Sequence, residues 1–240
     1  MSDALRIAAV VEGPTDRIVL QAIVRALLPA TDFEFQTLQP EGSLAFQPLQ
    51  VAGTGVGWVG VYRWSRQSAQ EGGGSVSGSF ALLNHDVLIV HVDADVANKT
   101  YGSGNIQDAP QDDLPCEEPC PPVSATTNAL RAVILNWLGE GECPPQIILC
   151  TPSKNIETWV LAAVCPIHGL VPSEDWECRH NPEGQLATLP LMHRFQKSQN
   201  DYESKQDEIT DTWPTVSARL EEAKRFEEEF LAAVPDDSGS

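Results

Sequence analysis

Two short apolar runs that each end in acids constrain this chain most. They are "LRIAAVV" (Leu5 to Val11) followed by Glu12, and "DVLIVHVDADV" (Asp86 to Val96), which contains Asp93 and Asp95. Runs this continuous, rich in small and β-branched residues, read as central parallel strands covered on both faces. Any one of these acids reads most simply as a strand-end or helix-cap residue, but two separate strands that each end in acids point toward a site.

The segments between and after these runs read as alternating strands and helices. After Gly13-Pro14, the apolar positions Ile18, Val19, Ala22, Ile23, Ala26 and Leu27 fall at helical spacing, with Thr15 as expected cap and Pro29 beyond the end. "FEFQTLQ" and "PLQVAG" are weaker strands. "SAQEGGGSVSGS" (Ser68 to Ser79) is expected to be a flexible loop. Ser124 to Leu138 reads as a helix, "PQIILCTPS" as a further buried strand and "NIETWVLAAVC" as another helix. "GLVPSEDWECRHNPEG" is expected as a loop. Helices are then expected around Leu191 to Ile209 and Val216 to Val234.

Alternating strands and helices predict an α/β fold with a mostly parallel sheet flanked by helices. The expected organisation is an α/β domain over 1–170, a helical C-terminal extension over 171–234 and a disordered tail over 235–240. Ligands of such sheets bind beyond the carboxyl ends of the strands, where Glu12, Asp93 and Asp95 fall. Alternation along an extended chain would point Asp93 and Asp95 the same way. Three converging carboxylates raise one another's pKa unless a cation neutralises them, and oxygen donors suit Mg²⁺ or Mn²⁺.

Composition limits the partners. With 34 acids against 15 bases and a net charge of −19, the chain is a poor general polyanion binder. A nucleic-acid substrate would need metal ions, a local basic patch or a partner protein to offset that repulsion. No apolar run approaches the ~20 residues of a membrane span, and the N-terminal residues lack a secretory pattern, so a cytoplasmic location is expected. The six cysteines are then expected as reduced thiols. Cys116, Cys120, Cys178 and His180 have the residue types of a zinc site but not a common spacing, and unligated thiols are the expectation. Cys143, Cys150 and Cys165 read as core positions.

"VVEGPTDRIVL" followed by "LIVHVDADV" resembles the Toprim domain of topoisomerases, bacterial primases and OLD-family nucleases. "PSKNIETWVLAA" is similar to a segment of small stand-alone Toprim proteins of bacterial antiphage defence. The resemblance extends over Leu5 to Val164 and points most closely to the Toprim effector of the PARIS system.

The resemblance implies a Toprim-like, Rossmann-like fold and a metal-dependent nuclease acting on RNA, such as tRNA, or on DNA. By carry-over, Glu12 would be general acid/base or metal ligand. Asp93 and Asp95 would hold Mg²⁺ or Mn²⁺, and Asp16 and Glu157 would serve a second metal. Lys154 would contact the phosphate or transition state. Gly53, Gly55 and Lys99 are the substrate-contact candidates. The implied partner is an ABC/SMC-type ATPase; a homodimer is also compatible, and no membrane is implied.

Other constellations weigh less. A haloacid-dehalogenase phosphatase carries its nucleophilic aspartate on the first strand, whereas this DxD comes late. "GTGVGW" lacks the ending of a P-loop, and no clear helix is expected to follow it. His85 and His91 read as structural. A catalytically silent Toprim-fold subunit with an acidic docking surface is the alternative function.

Overall fold

In the computed structural model of the chain, the described residues are 4–40, 56–110, 113–167, 176–179, 181–189 and 198–235. Strand β1 (Leu5–Val10) leads into helix α1 (Pro14–Leu27) and strand β2 (Phe33–Gln39). Helices α2 (Trp58–Glu71) and α3 (Phe80–Asn84) precede strand β3 (Val87–His91). Helix α4 (Ser124–Leu138) then returns to strand β4 (Ile147–Cys150). The remaining helices are α5 (Glu157–Ile167), α6 (Pro182–Ala187), α7 (Gln199–Ser204), α8 (Gln206–Ser217) and α9 (Glu221–Ala233).

The four strands form one parallel sheet in the order β2-β1-β3-β4. This is the expected α/β class, and the apolar runs account for it. Alternate residues of each strand enter opposite cores. Ile7, Ala9, Val87, Ile89, Ile148 and Cys150 face one layer, which contains α1, α5, α8 and α9. Ala8, Val10, Leu88, Val90, Ile147 and Leu149 face the other, built with α2 and α4. Both faces are covered, so β1 from Ile7 onward, β3 and β4 are almost continuously apolar, whereas the edge strand β2 alternates apolar and polar residues.

The chain runs outward from β1 to β2, then crosses back to place β3 on the other side of β1. The strand order therefore reverses between β1 and β3, where the carboxyl ends of a doubly wound sheet open a crevice. Glu12 and Asp93 follow those two strands.

Several local expectations are corrected. Gly13, not Thr15, caps α1, and the Asp16 carboxylate accepts the Gly13 N–H at 2.8 Å. A helix does follow the glycine-rich segment: α2 starts after Gly57, whose φ of 74° suits glycine. Ser68 to Glu71 belong to α2, and the turn beyond is held in place. There Glu140 accepts hydrogen bonds from the Ser75 hydroxyl at 2.5 Å and from the Ser77 N–H at 2.9 Å. Pro182–Ala187 is helix rather than loop, because Asn181 caps it through the Gly184 N–H at 2.8 Å.

The C-terminal helices break at 218–220 rather than before Val216. They share the core of the sheet: Trp213, Phe226 and Phe230 lie buried in the same cluster as Trp159 and Ile18. Trp159 and Trp213 meet edge to face at 5.5 Å. Cys120 and Cys178 form a disulfide, which overturns the expectation of reduced thiols and takes two of the four residues weighed for zinc. Cys143 is exposed, whereas Cys150 and Cys165 are buried as expected. "PLQVAG", Gly53, Gly55, His180, Leu191 to Lys197 and the tail from 236 lie outside the described residues.

Candidate functional site

Pairing of β1 with β3 aligns Val10 with Val90, so the two strands end side by side. The next turn on each strand carries an acid. Glu12 Oε1 accepts the backbone N–H of Asp93 at 2.9 Å, closing the crevice mouth between the strands. Asp93 Oδ1 in turn accepts the N–H of Ile156, just ahead of α5, at 2.9 Å. Asp16, from the first turn of α1, approaches from the helix side. Three of the expected acids, Glu12, Asp16 and Asp93, are thereby brought together.

Asp95 is not among them. After His91 the chain leaves the extended conformation and Ala94–Val96 forms a 3₁₀ turn, so alternation no longer governs the side chains. The N–H groups of Ala94 and Asp95 follow the carbonyls of Pro152 and Lys154 at 3.0 and 2.8 Å. The Asp95 side chain is 51% exposed and pairs with Lys99 at 2.8 Å, whereas that of Asp93 is 11% exposed. The two acids of the DxD thus have separate environments. Lys99, a substrate-contact candidate, is the partner of Asp95 on the surface.

Lys154 and Glu157 each have a side-chain partner, and the Glu157 charge also acts on Asp93. The Lys154 ammonium pairs with Glu117, and its side chain is 14% exposed. Glu157 is fully buried at the start of α5 and accepts a hydrogen bond from the Tyr202 hydroxyl at 2.7 Å. Burial and the Glu157 charge raise the Tyr202 phenol far above its ordinary value, so it remains a donor.

The central residue of the cluster is one that sequence reading set aside as structural. His91 is fully buried, with Nε2 3.1 Å from Asp93 Oδ1 and Nδ1 3.8 Å from Asp16 Oδ2. It shares the Asp93 face of β3, two residues earlier, which turns it toward α1. The available signal was a titratable side chain inside a run that must be buried on both faces. Tyr202 left no such signal, since its position depends on how the C-terminal helices dock.

The electrostatics follow from the crowding. Burial, then the charges of Asp93 and Asp16, raise the Glu12 carboxyl to about 8, against the opposing effects of His91 and the Asp93 N–H. Burial alone would lower the His91 pKa. The surrounding Asp93, Asp16 and Glu12 outweigh it and raise the imidazole to about 9. Burial also raises Asp93, opposed by His91. The positive charge facing these acids comes from His91.

Gly57 lies against Glu12 on one side of the site. Its N–H donates to the Glu12 carbonyl at 2.8 Å, and a β-carbon there would lie 3.6 Å from Glu12 Oε2. The oxygen donors of Glu12 and Asp93 suit a hard cation by type. Among the described residues, however, no group of three or more His, Cys, Asp and Glu side chains is arranged to hold a metal ion. The convergence of Glu12, Asp93 and Asp95 expected from sequence is replaced by a Glu12–Asp93 pair braced by His91. Among the described residues, no helix is long and apolar enough to cross a membrane.

Comparison with family models, curated proteins and solved structures returned no match, so the functional reading rests on the residues and their geometry.

Proposed function

We propose that this chain is a Toprim-like, divalent-metal-dependent phosphodiesterase of nucleic acid, RNA such as tRNA or DNA. The observation that carries the reading is the hydrogen-bonded Glu12–Asp93 pair at the reversal point of the sheet, in surroundings whose negative charge calls for a cation. Glu12 and Asp93 would hold Mg²⁺ or Mn²⁺, and ligation by Asp95 requires its pair with Lys99 to part. The ion would supply Lewis-acid stabilisation of negative charge at a phosphodiester.

The chain's own groups do the rest. Burial and the neighbouring acids hold the metal-free Glu12 carboxyl at about 8, so binding of the ion to its carboxylate would displace a proton near neutrality. The Ile156 N–H and His91 hold Asp93 in place. A side chain at Gly57 would meet Glu12 Oε2 at 3.6 Å, so glycine keeps that side of the carboxylate clear of a β-carbon. Lys154, once parted from Glu117, would contribute positive charge toward a phosphate. The family resemblance implies an antiphage effector held in check by a larger ABC-type ATPase, and a partner protein would also offset the low basic content of the chain.

One set of contacts favours the second reading, a catalytically silent subunit with an acidic docking surface. Asp95, Lys154 and Glu157 are each engaged internally, with Lys99, Glu117 and Tyr202. Cleavage of mixed DNA and total RNA with Mn²⁺ or Mg²⁺ separates the two, using wild type and Glu12→Ala, alone and with a neighbouring ATPase. Metal-dependent products lost in Glu12→Ala support the nuclease. Their absence with folded wild type, under every condition, favours the silent subunit.

A further inference from the structure

The segment Cys116 to Cys120 meets the site described above through one residue, Glu117 on Lys154. Cys120 is bonded to Cys178, 58 residues later, with Cα atoms 5.5 Å apart. The bond lies in the wall of a polar pocket of about 320 Å³ that Asn98, Glu117, Glu118 and Lys154 also line. Both cysteines are half-buried rather than enclosed. Access of a thiolate to sulfur is a main determinant of whether a disulfide exchanges.

The two ends of this tie are held unequally. Cys178 follows Trp176 and Glu177, both buried. The Glu177 carboxylate accepts the N–H groups of Glu221 and Glu222 at 2.6 and 3.0 Å, which anchors that end to α9. Cys120 sits in a loop exposed over Cys116 to Pro119. That loop is held by the Glu117 N–H on Asn98 at 3.1 Å and the Glu118 N–H on Thr126 at 2.9 Å. Breaking the bond therefore releases the loop, not the anchor. The loop carries Glu117, whose carboxylate pairs with Lys154, and the Lys154 carbonyl accepts the Asp95 N–H at 2.8 Å. The tie thus fixes an acid over the lysine that borders the acidic edge of the sheet.

We infer that the Cys120–Cys178 disulfide is a reducible latch, opened by a dithiol reductant entering this pocket, that holds Glu117 on Lys154 and keeps the ammonium from anionic ligands. A reductant thiolate attacks one sulfur of the bond, and the other protein sulfur leaves and takes a proton. The second reductant thiol then displaces the remaining protein sulfur from the mixed disulfide. Two electrons pass to the protein, Cys120 and Cys178 end as thiols, and the reductant ends as a disulfide. The inference does not depend on phosphodiesterase activity.

The test uses the full chain with Cys116→Ser, which removes the exposed thiol of the same loop. The folded protein is alkylated before and after dithiothreitol, and the lysines are labelled with an amine-reactive reagent and mapped by mass spectrometry. Cys120 and Cys178 should become alkylated while circular dichroism stays native. Lys154 labelling should then rise about three- to fivefold, the weight of a surface ion pair. Glu117→Gln should raise Lys154 labelling to the same extent without reductant. Three results would overturn the latch: Cys120 and Cys178 free in the air-oxidised protein, reduction only on unfolding, or Lys154 labelling unmoved in the reduced, folded chain.

Discussion

Asp93 donates its backbone N–H to Glu12 Oε1 at 2.9 Å, joining residues 81 positions apart across the carboxyl ends of two neighbouring parallel strands. The bond seats the Glu12 carboxylate beside the Asp93 side chain, and both charges fall on the face toward His91. Stability, pH response and any cation binding at this edge depend on that juxtaposition.

The pH response has a definite sign. Glu12 rises from an ordinary 4.5 to about 8 on folding, and His91 from 6.5 to about 9. Through this range the folded chain holds protons that the unfolded chain has released, so stability declines as pH rises. Both contributions are lost as pH passes the folded values. The melting temperature should fall steadily from pH 6.5 to 9. A flat or rising profile by differential scanning calorimetry contradicts the assigned environments.

The two acids of the DxD should behave unequally. Asp95 and Lys99 are about half exposed, so Asp95→Ala should shift unfolding by no more than about 1 kcal/mol. Asp93→Ala removes the acceptor for the Ile156 N–H and the carboxylate against His91, and should cost about 1–3 kcal/mol. Urea denaturation of both variants gives the comparison. Equal effects would refute the separation of the pair.

Gly57 has φ 74° and ψ −166°, a region essentially confined to glycine. Gly57→Ala should therefore destabilise the fold by about 1–3 kcal/mol through backbone strain. The added methyl meets Glu12 Oε2 at ordinary contact distance, so the loss should persist in a Glu12→Ala background. Disappearance of the loss in that background would mean that the cost arises from the carboxylate instead.

The C-terminal helices should unfold together with the sheet. Trp213 is buried against Trp159 and Phe226, and Trp213→Ala should cost about 3–5 kcal/mol. Tyr202→Phe removes the hydroxyl bonded to Glu157 and should cost about 1.5–3 kcal/mol. In both variants, fluorescence and circular dichroism should report one coincident transition. Two separated transitions would show that these helices form an independent unit.

Much of the architecture is legible along the chain. The runs at Leu5–Val10, Val87–His91 and Ile147–Cys150 are strands because only a doubly covered strand tolerates so continuous an apolar stretch. Helices α1, α4 and α5 follow from apolar spacing at the helical period. Glycine content misled at α2, where the helix starts immediately after the last glycine of the segment. It misled again over Gly72 to Gly78, where contacts to Glu140 hold a turn that composition alone reads as flexible.

By itself, then, the sequence determined that this chain builds a parallel sheet and that acids stand at the ends of its central strands. Both are properties of local runs, set by burial and by hydrogen bonding within the backbone. Tertiary structure alone decided which acids meet. Strand order put Glu12 beside Asp93, the 3₁₀ turn at Ala94–Val96 sent Asp95 to Lys99, and docking of α7 brought Tyr202 to Glu157. The same holds for His91 between Asp16 and Asp93, and for Cys120 on Cys178. The contacts of Glu12 with Asp93, Tyr202 with Glu157, His91 with Asp16 and Cys120 with Cys178 join residues far apart in the chain, so they depend on how finished elements pack against one another.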